Sequence, residues 1–288
     1  MDDFERIRVR RLSGAGGAEI LGVDLSQPLQ PEVLVEIKAA LQKYLAVGFR
    51  DQHITPDQEC AFASHWGALT RTPFIETLPE HPNVTAVVQL PDASGKNFGG
   101  EWHSDGPVLE RPPLGGILYA RDVPPYGGDT LFSNLYMAYE ALSPGMQKLA
   151  DSLVVMHSLK GYHSYGSGSI TSPNVTAEAD EYLKSETPHP LVRINPDTGR
   201  KALWITGRYS IRFADMTEAE SGPLLDFFRV HAANPNFVFR WQWTKDSLLF
   251  WDNRVTNHFA VNDYQGHRRE MYRVQVEGER PFGPAVGR

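Results

Sequence analysis

Two short runs far apart in the sequence constrain this chain most: Glu101-Trp102-His103-Ser104-Asp105, and Trp251-Asp252-Asn253-Arg254 leading into His258. Two histidines and an aspartate suffice to hold ferrous iron by one face, leaving the opposite face open to a chelating co-substrate and oxygen. In an extended strand, residues i and i+2 point to the same side, so His103 and Asp105 can converge on a single ion. The third candidate ligand comes 155 residues later, from position 103 to 258. A fold that uses all three must carry the end of the chain back across its middle, which no local element can do.

The rest of the sequence supplies strands for such a fold. Residues 47–50, 84–90, 116–120, 129–133, 191–194, 201–205, 237–243, 247–251 and 268–277 are predicted as strands, separated by Gly/Pro-rich turns. Residues 31–45 have helical periodicity, with Val33, Leu34, Ile37, Leu41 and Leu45 on one side. A second helix is predicted from Thr55, whose hydroxyl caps free amides while Pro56 occupies the first turn. Residues 135–153 read as two more helices, the second starting near Ser143-Pro144. The run from Gly14 to Asp24 reads as a glycine-rich turn entering a short strand, since its glycines lack the spacing of a dinucleotide loop. Short strands with helices near the amino-terminal end and in the middle predict a mainly β fold with flanking helices, an antiparallel sandwich or jelly roll. A single domain over 1–288 is expected, at the upper edge of what one β-rich domain holds. The Gly/Ser/Thr-rich stretch at about 161–187 reads either as a lid over a site or as a surface loop.

Composition narrows the class. Hydrophobic residues at 41% and charged residues at 22% are ordinary for a soluble globular protein. No apolar run is long enough to cross a bilayer, and Met1-Asp2-Asp3-Phe4-Glu5-Arg6 lacks the form of a signal peptide. A formal charge of −7 argues against a nucleic-acid partner. Cys60 is the only cysteine, so no intrachain disulfide forms, and a reducing cytoplasmic setting is expected. The same setting keeps iron ferrous.

A His-X-Asp run is a weak signal in a chain with ten histidines. Its company strengthens it. Arg269 follows His258 by 11 residues, in a region that reads as turn plus strand. A guanidinium is a rigid fork of donors suited to clamping a carboxylate. A 2-oxo acid could chelate iron through its keto and adjacent carboxylate oxygens while Arg269 holds its far carboxylate. Arg268 alternates to the opposite face and suits a surface ion pair. Two rivals stand beside this reading: a zinc hydrolase working through a metal-bound hydroxide on the same three ligands, and a non-catalytic jelly-roll binding module.

The chain resembles the taurine/2-oxoglutarate dioxygenase (TauD/TfdA) family, iron-dependent oxygenases on a double-stranded β-helix, a cupin-like jelly roll. The resemblance runs from Gly16-Gly-Ala-Glu-Ile-Leu-Gly-Val-Asp-Leu-Ser26 through Gly127-Gly-Asp-Thr130 to Trp251-Asp-Asn-Arg-Val-Thr-Asn-His258 and Arg268-Arg-Glu-Met-Tyr-Arg273. It implies that His103, Asp105 and His258 hold Fe(II), that Arg269 and Thr130 bind the distal carboxylate of 2-oxoglutarate, and that no catalytic group acts beyond the metal centre. It also implies consumption of O2, release of succinate and CO2, and oxidation of a C–H bond in a small organic acid. A hydrolase would have no general need for Arg269 and Thr130. Arg273, four residues after Arg269 on the same strand face, stands where taurine oxidisers bind sulfonate, which implies an anionic substrate.

Thr72, Ile75 and Gly99 stand where taurine oxidisers carry a histidine, a tyrosine and an asparagine, so a larger or less polar substrate than taurine is expected. Sulfonates, alkylsulfates and aryloxyalkanoates are the classes in view. Tyr209 falls near a family aromatic that lines the substrate pocket, and Tyr162 or His163 is placed to close it. Trp102 and Trp251 read as packing walls, and Asp252 and Asn253 as turn residues that orient the strand carrying His258. The family implies a homodimer or homotetramer.

Overall fold

A computed structural model describes residues 4–93, 99–163 and 179–285, with the side chains of Tyr162 and His163 left undescribed. The chain opens with an antiparallel hairpin of β1 (Arg8–Arg11) and β2 (Ala18–Leu21), then runs through α1 (Pro31–Tyr44), β3 (Ala46–Phe49) and α2 (Pro56–Ser64). Strands β4 (Leu69–Thr70), β5 (Thr85–Gln89), β6 (Gly115–Asp122) and β7 (Thr130–Asn134) follow, then helices α3 (Leu135–Glu140) and α4 (Pro144–Asp151). Next come β8 (Val154–His157), α5 (Lys160–His163), α6 (Ala179–Lys184), β9 (Thr187–Pro190), β10 (Val192–Ile194), β11 (Lys201–Leu203) and β12 (Ser210–Phe213). Helix α7 (Glu218–Ala232) leads into β13 (Val238–Trp241), β14 (Leu248–Asp252), β15 (Thr256–Ala260) and β16 (Arg269–Val276).

An eight-stranded sheet has the order β1-β2-β3-β14-β6-β16-β4, with β5 also paired to β16. A three-stranded sheet, β13-β7-β15, lies across from it. Alternation along β14 explains why the sheets close face to face. Phe250 points outward to Phe62 and Trp66 around α2, while Leu249 and Trp251 point inward to meet Phe132 of β7 and Phe239 and Trp241 of β13. Phe250 is fully buried, and its truncation to alanine would cost about 3–5 kcal/mol. This is the expected jelly roll, with helices α1 and α2 covering the outer face.

Several local expectations hold. Thr55 and Gln58 form a reciprocal capping box, with Pro56 in the first turn of α2. The predicted pair of helices at 135–153 is α3 and α4, the latter capped by Ser143. Other elements were not foreseen. Helix α7 buries Leu225, Phe228 and Ala232 on one side, but Ser221-Gly222-Pro223 within it reads locally as a turn. Strands β1, β4, β8, β9 and β12 are also absent from the expectation. The stretch at 161–187 is not one irregular loop: α5 ends inside it, α6 occupies Ala179–Lys184 and β9 starts at Thr187. Residues 164–178, where a lid would fall, lie outside the described residues, as do the side chains of Tyr162 and His163. No helix of the described residues is long and apolar enough to cross a membrane.

Candidate metal and co-substrate site

Backbone pairing brings the distant runs together. The His103 N–H donates to the His258 carbonyl at 3.0 Å, and the His258 N–H donates back to the His103 carbonyl at 2.7 Å. The Ala260 N–H reaches the Gly99 carbonyl at 2.9 Å, so residues 99–103 lie along β15. Asn253, fully buried, then fixes the chain at Asp105. Its Oδ1 accepts from the Asp105 N–H at 2.7 Å, and its Nδ2 donates to the Asp105 and Pro113 carbonyls at 3.0 Å each. Asn253 therefore orients the segment carrying Asp105, rather than the strand carrying His258 as expected. Asp252 is held by Arg254, whose Nε donates to Oδ1 at 2.9 Å.

The three candidate ligands converge. Asp105 Oδ1 lies 3.7 Å from His103 Nε2 and 3.8 Å from His258 Nε2, and the three ligand atoms lie within 4.8 Å of one another. All three residues are buried or nearly so. His103 Nδ1 faces the Glu101 carbonyl at 2.7 Å, so a proton on Nδ1 leaves the Nε2 lone pair for a metal. Burial and the neighbouring His103 lower the His258 pKa to about 3, so its imidazole is neutral and able to ligate. Burial pushes the Asp105 carboxyl up. Arg273, His258, His103 and the Gln275 hydrogen bond outweigh that and hold it below its ordinary value. A carboxylate and two imidazoles in one buried cluster are the donor set of a divalent first-row metal.

Alternation along β16 delivers the rest. Arg269, Met271, Arg273 and Gln275 point to the inner, buried face. Arg268 instead reaches Asp122 at 3.1 Å and Glu270 at 2.8 Å, the surface pairing expected of it. Arg273 Nη1 lies 3.5 Å from Asp105 Oδ1, and Gln275 Nε2 donates to Asp105 Oδ2 at 3.1 Å.

Arg269 and Thr130 line the same cavity as His103, His258 and Arg273, with Trp243 between them. The Trp243 indole donates to Thr130 Oγ1 at 2.9 Å, which leaves the hydroxyl hydrogen to donate into the cavity. Arg269 is buried between the Trp243 and Tyr264 rings, each 6.0 Å from its guanidinium carbon. Its Nε and Nη2 have no hydrogen-bond partner among the described residues. Burial lowers the Arg269 pKa from its ordinary value, yet a guanidinium stays charged. A buried cation with bare donors requires an anion, and a carboxylate matches it in shape and charge. Gly128 permits this packing: its φ is +68°, and a Cβ there would lie 3.3 Å from Arg269 Cδ and Nε.

The candidate substrate residues sit at different depths. Gly99 borders the cavity, where a Cβ would lie 3.3 Å from His103 Cε1. The Tyr209 ring is 6.4 Å from that of His103, and Tyr209 joins Ile75, Phe74, Val108 and Leu159 in an apolar cluster. Thr72 does not line the cavity; its hydroxyl donates to Gln275 Oε1 at 3.0 Å. Trp251 packs 5.0 Å from His258 as a wall, whereas Trp102 packs on Phe259. Gln275 and Trp243 escaped sequence reasoning. Gln275 was accessible through its i+2 spacing from Arg273, but Trp243 carried no local signal. A larger cavity, about 530 Å³, lies behind Trp102 and contains none of the three ligands. Donor chemistry, rather than size, locates the site.

Similarity to known proteins agrees with this geometry. The model of the taurine catabolism dioxygenase TauD, TfdA family matches residues 8–275. An alkylsulfatase from Acinetobacter baylyi is 31% identical, the match covering 96% of this chain and 86% of that protein. An alpha-ketoglutarate-dependent sulfate ester dioxygenase from Pseudomonas putida is 32% identical, covering 96% and 91%. The crystal structure of a taurine dioxygenase from Burkholderia xenovorans superposes with a TM-score of 0.81 at 34% identity, covering 99% of this chain and 93% of that one. These matches set aside the zinc-hydrolase alternative, which had drawn on the same three ligands. With the triad, the buried arginine and a match over nearly its whole length, the chain belongs to the taurine catabolism dioxygenase TauD, TfdA family and is a dioxygenase.

Proposed function

We propose that this dioxygenase holds Fe(II) with His103, Asp105 and His258 and clamps the far carboxylate of 2-oxoglutarate with Arg269 and Thr130. Its prime substrate, on this reading, is an organic sulfate ester or sulfonate with an apolar body. The observation that carries the reading is Arg269: a buried guanidinium with two bare donors, opening onto the cavity that holds the triad. Iron held by His103, Asp105 and His258 would supply the oxidative chemistry, in which one atom of O2 would enter succinate as 2-oxoglutarate loses CO2 and the other would enter the substrate at a C–H bond.

The protein's own part is placement. Arg273 sets positive charge beside the metal carboxylate, where a sulfo group would approach. Tyr209, partly exposed with its ring 6.4 Å from that of His103, offers apolar surface for the rest of the molecule and is backed by the buried Phe74, Ile75, Val108 and Leu159. Trp251 and Phe132 wall the ligands from water. The relatives that act on sulfate esters support the choice of substrate class. Hydroxylation of the carbon bearing the ester oxygen gives a product that collapses to an aldehyde and sulfate.

The test is anaerobic mixing with ferrous iron and 2-oxoglutarate, followed by air and a panel of alkyl sulfates, sulfonates and aryloxyalkanoates. The reading expects a visible charge-transfer band, then succinate and sulfate in equal amounts with an alkyl sulfate. A missing band together with no succinate rejects it. Succinate coupled only to aryloxyalkanoates overturns the substrate class alone.

A further inference from the structure

Thr72 and Gln275 form a buried polar pair that the chemistry above does not use. A carboxylate ligand has two oxygens and can rotate to offer either or both. In this site the two oxygens of Asp105 have different surroundings. Oδ1 faces both imidazole Nε2 atoms, whereas Oδ2 accepts from Gln275 Nε2 at 3.1 Å. A glutamine amide can itself turn over, and its carbonyl would then oppose the carboxylate. The carboxylate can only accept, which turns the Gln275 amino group towards Oδ2, and the Thr72 hydroxyl completes the relay by donating to Gln275 Oε1 at 3.0 Å. Thr72, Gln275 and Asp105 are 6%, 3% and 6% exposed, so water is poorly placed to replace either bond. The β4–β16 register sets Thr70 opposite Gln275 and brings Thr72, two residues on, to the same side chain.

We propose that Thr72 and Gln275 are positioning residues for the metal carboxylate: the relay holds Asp105 Oδ2 away from the ion, leaves Oδ1 as the ligating atom, and thereby sets metal affinity rather than substrate choice. The inference rests on the metal-site reading above and extends it to two residues that do not line the cavity.

Its test compares Thr72→Val, which keeps shape and loses the hydroxyl, with Thr72→Ser, which keeps the hydroxyl, and with Gln275→Met. Calorimetric titration of the metal-stripped enzyme with Mn(II), in the absence of 2-oxoglutarate and substrate, reads affinity. Visible spectra of the Co(II)-loaded enzyme read ligand geometry. The expected result is a loss of about tenfold in Mn(II) affinity for Thr72→Val and about 10- to 100-fold for Gln275→Met, with altered Co(II) bands in both. Thr72→Ser should stay within about twofold of wild type, and the KM for the prime substrate should be unchanged in Thr72→Val. Wild-type Mn(II) affinity and Co(II) bands in Thr72→Val would overturn the inference, all the more if the substrate KM rose instead. Should Gln275→Met fail to fold, the two Thr72 variants decide the question. A wild-type enzyme that binds no Mn(II) would remove the metal site and this inference together, an outcome distinct from unchanged affinity in the variant.

Discussion

Replacing Arg269 with methionine should produce two effects of opposite sign. Methionine keeps much of the apolar stem between Trp243 and Tyr264 but removes the charge. In the ligand-free protein, Nε and Nη2 are buried donors without partners among the described residues. Each such donor costs about 1–3 kcal/mol. Loss of the two ring contacts, about 0.5–2 kcal/mol in all, offsets part of the gain. The variant should therefore be more stable than wild type without ligand, by on the order of 1–3 kcal/mol, or a Tm rise of about 2–6 °C. Binding of 2-oxoglutarate should move the other way. Two charge-assisted hydrogen bonds at about 1.5–3 kcal/mol each predict a loss of about 10²- to 10⁴-fold in affinity. Scanning calorimetry without ligand and titration of the Mn(II)-loaded enzyme with 2-oxoglutarate measure the two effects. Affinity within threefold of wild type would refute the clamp. A clear fall in ligand-free Tm would show that Arg269 is already satisfied and refute the stability argument.

Other consequences follow from buried groups nearby. Asn253→Leu removes three hydrogen bonds to backbone at Asp105 and Pro113, so it should cost about 3 kcal/mol or more in urea unfolding and weaken Mn(II) binding in parallel; unchanged Mn(II) affinity would contradict its role in placing Asp105. Gly128→Ala, at φ +68° with a Cβ pressed on Arg269, should lower stability by about 1–3 kcal/mol and raise the 2-oxoglutarate Kd; equal Kd values would show that the guanidinium accommodates the methyl. Burial lowers the pKa of His189 to about 4 and that of His157 well below its ordinary value. The unfolded chain therefore binds protons below about pH 6.5 that the folded chain refuses. The stability contribution of these histidines is complete above that pH and is lost as pH falls towards about 4, where His189 alone accounts for about 3 kcal/mol. His189→Gln should flatten the acid limb of a urea-midpoint profile, and an unaltered limb would assign the acid sensitivity elsewhere.

Much of the site was legible because it follows from short-range geometry. The inward face of β16 is a period-two reading of Arg269, Arg273 and their neighbours, and Arg268 took the outward role that alternation gives it. The cap at Thr55 and the start of α4 at Ser143-Pro144 are likewise local. Most of the illegible features depend on which distant segments run side by side. Nothing near Asn253 says that it will hold the backbone of Asp105, 148 residues away, and nothing near Thr72 points to Gln275. Helix α7 was lost for a different reason: Gly222 and Pro223 carry a turn signal that the surrounding core of Leu225, Phe228 and Ala232 overrides. Thr72, expected at the substrate, proved to face a side chain that only the β4–β16 pairing brings near.

A crystal structure of the enzyme grown anaerobically with Fe(II) and 2-oxoglutarate, with the metal located by its anomalous signal, would decide whether the triad and Arg269 act together. One ion should lie within about 2.0–2.3 Å of His103 Nε2, Asp105 Oδ1 and His258 Nε2, chelated by the keto acid, with the far carboxylate on Arg269 and Thr130. An ion bound elsewhere, or a diacid whose far carboxylate leaves Arg269 bare, would contradict it.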